Sequence, residues 1–380
     1  MTVREYAERQ SGLKRQFTVR KDIVRLMSQV VICSNFVVVT PSIAASEPYQ
    51  AYNNQCARAV ILDEAAAMHR TDGLIVYWNT PRPMIVVGDE KQLVPTLVTA
   101  NQKDETGNDI NRFGDDARVS FLSWWLHLGF PAFHLYKQYR MARGMFVLSL
   151  EFVLQVVVNE FKYAESCELT NFSYAGDIQA YLQHTANLVL PADTMSPVFI
   201  NCHNCVDSVS QSRYNARAVE CMVKWLRSFI GALGVPTDRI AAITPYRANL
   251  QHIRFRFSAE LTLERIEVPT IDTFMGREAD IVLLCPAVDK ESGPGFTAHP
   301  QRLNVAITRH QTALFVVGDI DTIPAPDSGR PKRPRTEGAT AEDGASVKVN
   351  LRMMTKMFQW FRDNGMIIHL QGDPNVDPDA

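Results

Sequence analysis

Two periodicities alternate along the chain. Apolar runs rich in Val, Ile and Leu occur at Val30 to Val39, Arg58 to Leu62 and Pro83 to Val87, with helix-like sequence between the last two. Runs apolar on both faces and separated by helical stretches predict the buried strands of a parallel α/β sheet. The first run stops at Thr40-Pro41-Ser42, where proline ends a ladder. A polar stretch rich in Asn, Asp and Gly over 99–118 predicts a surface loop, Arg118 to Leu128 a helix, and Pro131 a domain boundary. The alternation then resumes. Strands are predicted at Phe133 to Tyr136, Val198 to Cys202, Ile240 to Thr244, Ile281 to Pro286 and Ala313 to Val317. Helices are predicted near Met145 to Phe161, Asn215 to Leu233 and Ala248 to Phe257.

The pattern divides the chain into a first α/β domain (1–130), a second (131–323), an insert (324–347), and a closing helix, Leu351 to Asn364, with a strand (348–372) that packs on the second domain. The insert is rich in Pro, Gly, Ser and charge, which predicts disorder. A chain of 380 residues with 46% hydrophobic content suits about two domains.

Charge and cysteine usage narrow the picture only slightly. A net charge of −2 gives no electrostatic footprint for nucleic acid, yet a local groove suffices to hold a backbone. No apolar run has the length of a bilayer span, and the charged, helix-like Arg4 to Arg25 is not a signal peptide. The expectation is a soluble protein, nuclear or cytoplasmic, with no membrane partner; the basic cluster Arg330 to Arg335 leans nuclear. Seven cysteines, an odd count, predict free thiols. Cys202-His203-Asn204-Cys205 has no second pair at metal-finger spacing, so it reads as two thiols in a turn.

Candidate chemistry sits at strand ends. Asp63-Glu64 follows one apolar run and Gly88-Asp89 another, and ligands in open α/β sheets gather at the carboxyl ends of strands. An aspartate there can hold the water shell of Mg²⁺, and a neighbouring glutamate can polarise an attacking water. Alone, an acidic pair in a turn says little. The order of longer motifs says more: Gly88-Asp89-x-x-Gln92-Leu93-x-Pro95, Gln138-Tyr139-Arg140-Met141, Thr244-Pro245-Tyr246, Thr270 to Asp280, and Arg302-Leu303-Asn304-Val305-Ala306-Ile307-Thr308-Arg309.

Together these motifs resemble those of superfamily 1 helicases, of the Upf-like branch. The resemblance runs from about Val19 to His369. It implies two RecA-like parallel-sheet domains, the first incomplete, with ATP and Mg²⁺ bound in the cleft between them. It also implies a monomeric motor tracking single-stranded RNA or DNA. Carried over, Asp63 is the Mg²⁺ residue (through water) and Glu64 the general base. Gln92, Arg140 and Arg309 read the γ-phosphate, while Asp89, Tyr139, Gly276 and Glu278 lie at the nucleotide. Thr40, Pro41, Thr244, Pro245, Tyr246, Thr270 and Asp272 fall where the family touches nucleic acid, and Arg302 sets its helix in place. The chain departs in two places. Met275 stands where glutamine is usual, and His310-Gln311 where Ala-Arg is usual; the second departure is expected only to weaken flanking contacts.

A phosphate-cradling loop requires Gly-x-x-x-x-Gly-Lys-Ser/Thr, and no glycine in the chain precedes a lysine. Few residues lie ahead of Asp63, so the expectation is the C-terminal part of a longer helicase, or a truncated gene model. Without the central strand, unpaired strand edges and an exposed apolar gap are expected. A catalytically inactive nucleic-acid-binding or protein-binding remnant is the alternative. A dinucleotide enzyme would need Gly-x-Gly-x-x-Gly after the first strand, and the chain has none.

Overall fold

The computed structural model describes residues 13–77, 81–97, 99, 102–154, 161–202, 207–209, 212–325, 336–340 and 346–370. They fall into two compact units. One comprises residues up to 90 with 94–97 and 112–132; the other comprises 91–93, 98–111 and 133 onward.

The first unit contains α1 (Leu13–Ile32), α2 (Pro41–Ala44), α3 (Tyr49–Gln55), β1 (Val60–Leu62), α4 (Arg70–Tyr77), β2 (Met84–Val86) and α5 (Phe121–His127). β1 and β2 run parallel, with Val60 opposite Met84 and Leu62 opposite Val86. Strand side chains alternate between faces. Val60 and Leu62 therefore enter a small core with Ala65 and Phe121, whereas Ile61 and Ile85 are 69% and 58% exposed. Ser120 caps α5 by accepting from the Ser123 amide at 3.0 Å, which sets Phe121 into the core.

The strand predicted at Val30 to Val39 is absent. Its first residues finish α1, and the irregular residues beyond it leave Phe36 and Val38 exposed. A short apolar run suits a helix end as well as a strand. A strand also needs a neighbouring ladder for its amides and carbonyls. Among the described residues β1 and β2 pair only with each other.

The second unit contains α6 (Ala175–Thr185), β3 (Val198–Asn201), α7 (Ala216–Leu233), β4 (Ile240–Ile243), α8 (Arg247–Ser258), β5 (Ala279–Leu284), α9 (Pro300–Ala306), β6 (His310–Gly318), α10 (Arg352–Asp363) and β7 (Ile367–His369). The strands form one sheet in the order β7-β3-β6-β5-β4, all parallel. β3 and β4 are buried at every position, as a sheet covered on both faces requires. Phe315 pairs with Val198 and Val316 with Phe199, so Phe315 and Phe199 point to opposite faces. Trp225 and Phe229 of α7 pack on Phe315, at ring separations of 5.4 and 5.5 Å. Phe358 and Phe361 of α10 pack on Phe199 at 5.3 and 5.5 Å. Asn215 caps α7, accepting from the Ala218 amide at 2.9 Å.

Three further expectations are corrected here. Phe133 to Tyr136 forms no strand: pairing shifts to Lys137–Gln138 against Lys162–Tyr163, and Phe133 and Leu135 stay exposed with no sheet to enter. The long helix near Met145 is a single turn (Val147–Ser149) followed by a wider π turn (Leu150–Leu154), and residues 155–160 lie outside the described set. Within the insert predicted to be disordered, Thr336–Thr340 pairs antiparallel with Ser346–Asn350, because backbone pairing needs no apolar composition. The basic cluster Arg330 to Arg335 and Cys205 lie outside the described residues. The described cysteines are free, and no described helix is long and apolar enough to cross a membrane.

Candidate functional site

In the first unit the acidic residues stand where the strands end. The Val87 amide donates to Leu62 O at 2.8 Å and the Ala65 amide to Val87 O at 2.9 Å, so both turns are tied together. A Cβ on Gly88 would come within 2.9 Å of the Ala66 nitrogen, which is why only glycine fits this crossing. Glu64 takes a left-handed conformation (φ 53°) that a non-glycine residue adopts at a cost, and its amide donates to Asp63 Oδ1 at 2.9 Å. Asp63 is exposed, and Glu64 and Asp89 are partly so. No cluster of three or more metal-ligating side chains occurs among the described residues. A carboxylate or two open to solvent still fits Mg²⁺, which keeps several waters and takes its other oxygens from phosphate.

In the second unit a side chain folds the arginine turn. Gln138 Oε1 accepts from the amides of Arg140 and Met141 at 2.7 and 2.9 Å, and its Nε2 donates to Met141 O at 2.7 Å. The Arg140 guanidinium then donates from Nε to Glu278 Oε2 at 2.6 Å and from Nη1 to Thr308 O at 2.9 Å. Tyr139, 65% exposed, stands beside it.

Arg309 is almost fully buried. Its Nε donates to Val305 O at 3.1 Å, and its Nη2 donates to Thr308 Oγ1 at 3.0 Å and to Gln92 Oε1 at 3.5 Å. Gln92 belongs to the short segment 91–93 that groups with this unit. Buried Asn304 holds that segment: its Nδ2 donates to Lys91 O at 3.0 Å while its Oδ1 accepts from Ser149 Oγ at 3.1 Å. Gln92, Arg140, Glu278 and Arg309, distant in sequence, thus converge. Next to Arg309, His310 is wholly buried, and burial pushes its imidazole down to about 3, with Arg140 and Arg309 adding to the effect. The neutral ring donates from Nε2 to Met145 O at 3.3 Å, since a carbonyl can only accept.

A cavity of about 260 Å³ opens beside Arg140. Tyr139, Arg140 and Glu278 line it together with Asn171, Phe172, Arg239, Asp280, Gln311 and Thr312. The motif pattern gives Gln311 no role in the site. Gln311 does not simply weaken flanking contacts, for its Nε2 donates to Glu278 Oε1 at 2.6 Å. Its signal lay in the departure from Ala-Arg at 310–311, but its partner could not be read from the sequence.

The residues carried over as nucleic-acid contacts divide. Thr40 and Pro41 open α2 at an accessible turn. Thr244, Pro245 and Tyr246 are buried, with Thr244 Oγ1 accepting from Asn249 Nδ2 at 2.9 Å. Thr244 O accepts from the Ile271 amide at 3.1 Å, which brings this motif beside Thr270. Thr270 and Thr273 share a hydroxyl contact of 3.0 Å. Asp272 accepts both bonds of a fork from Arg302 at 3.0 Å, and the same guanidinium lies 3.8 Å from the Phe296 ring centre. Gly276, at φ 75°, makes the turn that returns the chain to Glu278 and β5.

The family model described as AAA domain matches residues 119–321. The chain belongs to this AAA-domain family. The match spans the Gln138–Met141 turn, Glu278 and Arg302 to Arg309. Among curated relatives, the chain is 26% identical to the DNA polymerase alpha-associated DNA helicase A of Saccharomyces cerevisiae, over 84% of this chain and 48% of that protein. It is 28% identical to the regulator of nonsense transcripts 1 of Dictyostelium discoideum, over 68% of this chain and 18% of that protein. The chain therefore spans about half the length of the first relative and under a fifth of the second. An arterivirus nonstructural protein 10, a helicase, is 14% identical with a TM-score of 0.31, over 71% of this chain and 39% of that one. That likeness is too slight to bear on function. The resemblance to Upf-like superfamily 1 helicases stands, and the parallel sheet of the second unit is of the RecA-like kind.

Proposed function

We propose that the chain carries motor residues of an ATP-dependent helicase or translocase acting on single-stranded RNA or DNA, as a monomer. One observation carries this reading: Gln92, Arg140, Glu278 and Arg309, from four separate motifs, are joined within the second unit by bonds to one another and to Thr308. Phosphoryl transfer asks a protein for positioning and for cations placed against building charge. Arg140 and Arg309 supply the cations, and Gln92 supplies an amide that orients the attacking water. In the first unit Asp63 would hold Mg²⁺, and Glu64 would serve as a general base. The metal, when bound, neutralises phosphate charge. Tyr139 offers an exposed ring to the nucleotide base, and Thr40, Pro41, Thr270 and Asp272 lie at the nucleic acid.

The test is polynucleotide-stimulated ATP hydrolysis by the purified chain, with Glu64→Gln as control. Turnover abolished in the variant while nucleotide binding persists supports the proposal. A chain that binds polynucleotide but hydrolyses no ATP under any stimulation overturns it in favour of a non-catalytic binder.

A further inference from the structure

Glu278 is held from two sides. Its Oε2 accepts from Arg140 Nε and its Oε1 from Gln311 Nε2, both at 2.6 Å. Gln311 also ties down the backbone of the arginine turn, because its carbonyl accepts from the Ala142 amide at 2.8 Å. We propose that Gln311, acting through Glu278, is a positioning residue for Arg140.

The argument is one of freedom lost. The Arg140 and Glu278 side chains are 33% and 43% exposed, and an ion pair that open to water holds a long side chain weakly. A carboxylate that must serve two donors at once has one orientation. Thr308 O occupies Nη1 of the same guanidinium at 2.9 Å. With Nε and Nη1 both engaged, the fork is fixed, and Nη2 remains for an anion in the cavity that Arg140, Glu278 and Gln311 line.

The neutrality of Gln311 matters. A cation at this position would compete with Arg140 for Glu278. An amide donor orients the carboxylate and leaves its charge to Arg140. Gln311 thus does by hydrogen bonding what charge would undo.

The effect on turnover rests on the proposed ATP hydrolysis; the clasp itself does not, so the experiment reads both. Hydrogen exchange of the Arg140 Nε–H is followed by NMR in the full chain labelled with ¹⁵N-arginine, the signal assigned by its loss in Arg140→Lys. ATP turnover is measured alongside. The wild type should show a protected Nε–H, with protection lost in both Gln311→Ala and Gln311→Glu. The second variant keeps the shape and removes the donor, so a role in packing alone would spare it. A kcat lowered roughly tenfold to a hundredfold, with KM nearly unchanged, should accompany the loss. Gln311→Arg should also release the Nε–H. Equal Nε–H exchange in wild type and Gln311→Ala would overturn the proposal. A wild type that hydrolyses no ATP yet keeps a Gln311-dependent Nε–H signal would sink the motor reading and leave the positioning intact.

Discussion

Arg140 and Arg309 meet on one residue: the Thr308 carbonyl accepts from Arg140 Nη1 at 2.9 Å, and the Thr308 hydroxyl accepts from Arg309 Nη2 at 3.0 Å. The same hydroxyl donates its hydrogen to Asn304 O at 2.7 Å. Thr308→Val keeps the shape and the carbonyl but withdraws a bond from a buried guanidinium. We expect a loss of about 1.5–3 kcal/mol in stability, the usual worth of a hydrogen bond from a charged donor. Denaturant unfolding measures it. An unchanged midpoint would mean that Arg309 does not depend on this hydroxyl.

Arg140 and lysine should not be interchangeable. A lysine at 140 is a point charge and cannot engage Glu278 and Thr308 O with a planar fork. We expect Arg140→Lys and Arg140→Ala both to lower kcat for ATP by about 10³-fold or more, the contribution of an arginine at a transferred phosphate. Single-turnover kinetics at saturating ATP would show it. Full rescue by lysine would reduce the role of Arg140 to its charge.

His310 predicts a pH dependence of stability. Its folded value, pushed down to about 3, lies below the ordinary 6.5. Between these limits the unfolded chain binds a proton that the folded chain refuses, so stability is lost as pH falls below 6.5. Relative to His310→Gln, the wild type should lose about 1.4 kcal/mol per pH unit on acidification from that point. Urea unfolding of both proteins between pH 7 and about 5 gives the difference. Parallel curves would show that the imidazole is hydrated.

α10 holds one face of the second sheet through Phe358 and Phe361 on Phe199. Phe358 is fully buried, and Phe358→Ala should destabilise that unit by about 3–5 kcal/mol, a transfer loss plus a cavity. Calorimetry should show its transition moving down. A smaller effect would mean that the Met353, Met354 and Met357 side chains of the same helix collapse into the gap.

The two-stranded sheet of the first unit leaves Ile61, Ile85 and Val87 exposed. Contiguous apolar surface beside an open strand edge promotes self-association. Ile85→Lys should reduce light scattering of the chain at equal concentration while leaving its unfolding midpoint nearly unchanged. Scattering unaffected by the charge would place self-association elsewhere.

Much of this protein was legible in one dimension. The strands β1 to β6 overlap the apolar runs that predict them, because β-branched and aliphatic residues favour extended, packed backbone. Arg302 to Arg309 and Thr270 to Asp280 were legible because many positions must be right at once. Failures cluster where a segment's structure depends on a neighbour. Val30 to Val39 and Phe133 to Tyr136 are as apolar as real strands, yet neither has a ladder to join, and pairing is a property of the partner. Gln311 shows the same limit within the site. Its sequence gives a polar residue in place of an arginine. Only the pairing of β6 with β5, whose register shifts between His310 and Ala313, sets its amide against Glu278, and only the Gln138 turn brings Arg140 to the other oxygen. The sequence by itself determined which side chains carry charge and which segments must be buried. The tertiary structure decided which charges face each other, because hydrogen bonds of this length depend on distances that no spacing along the chain encodes.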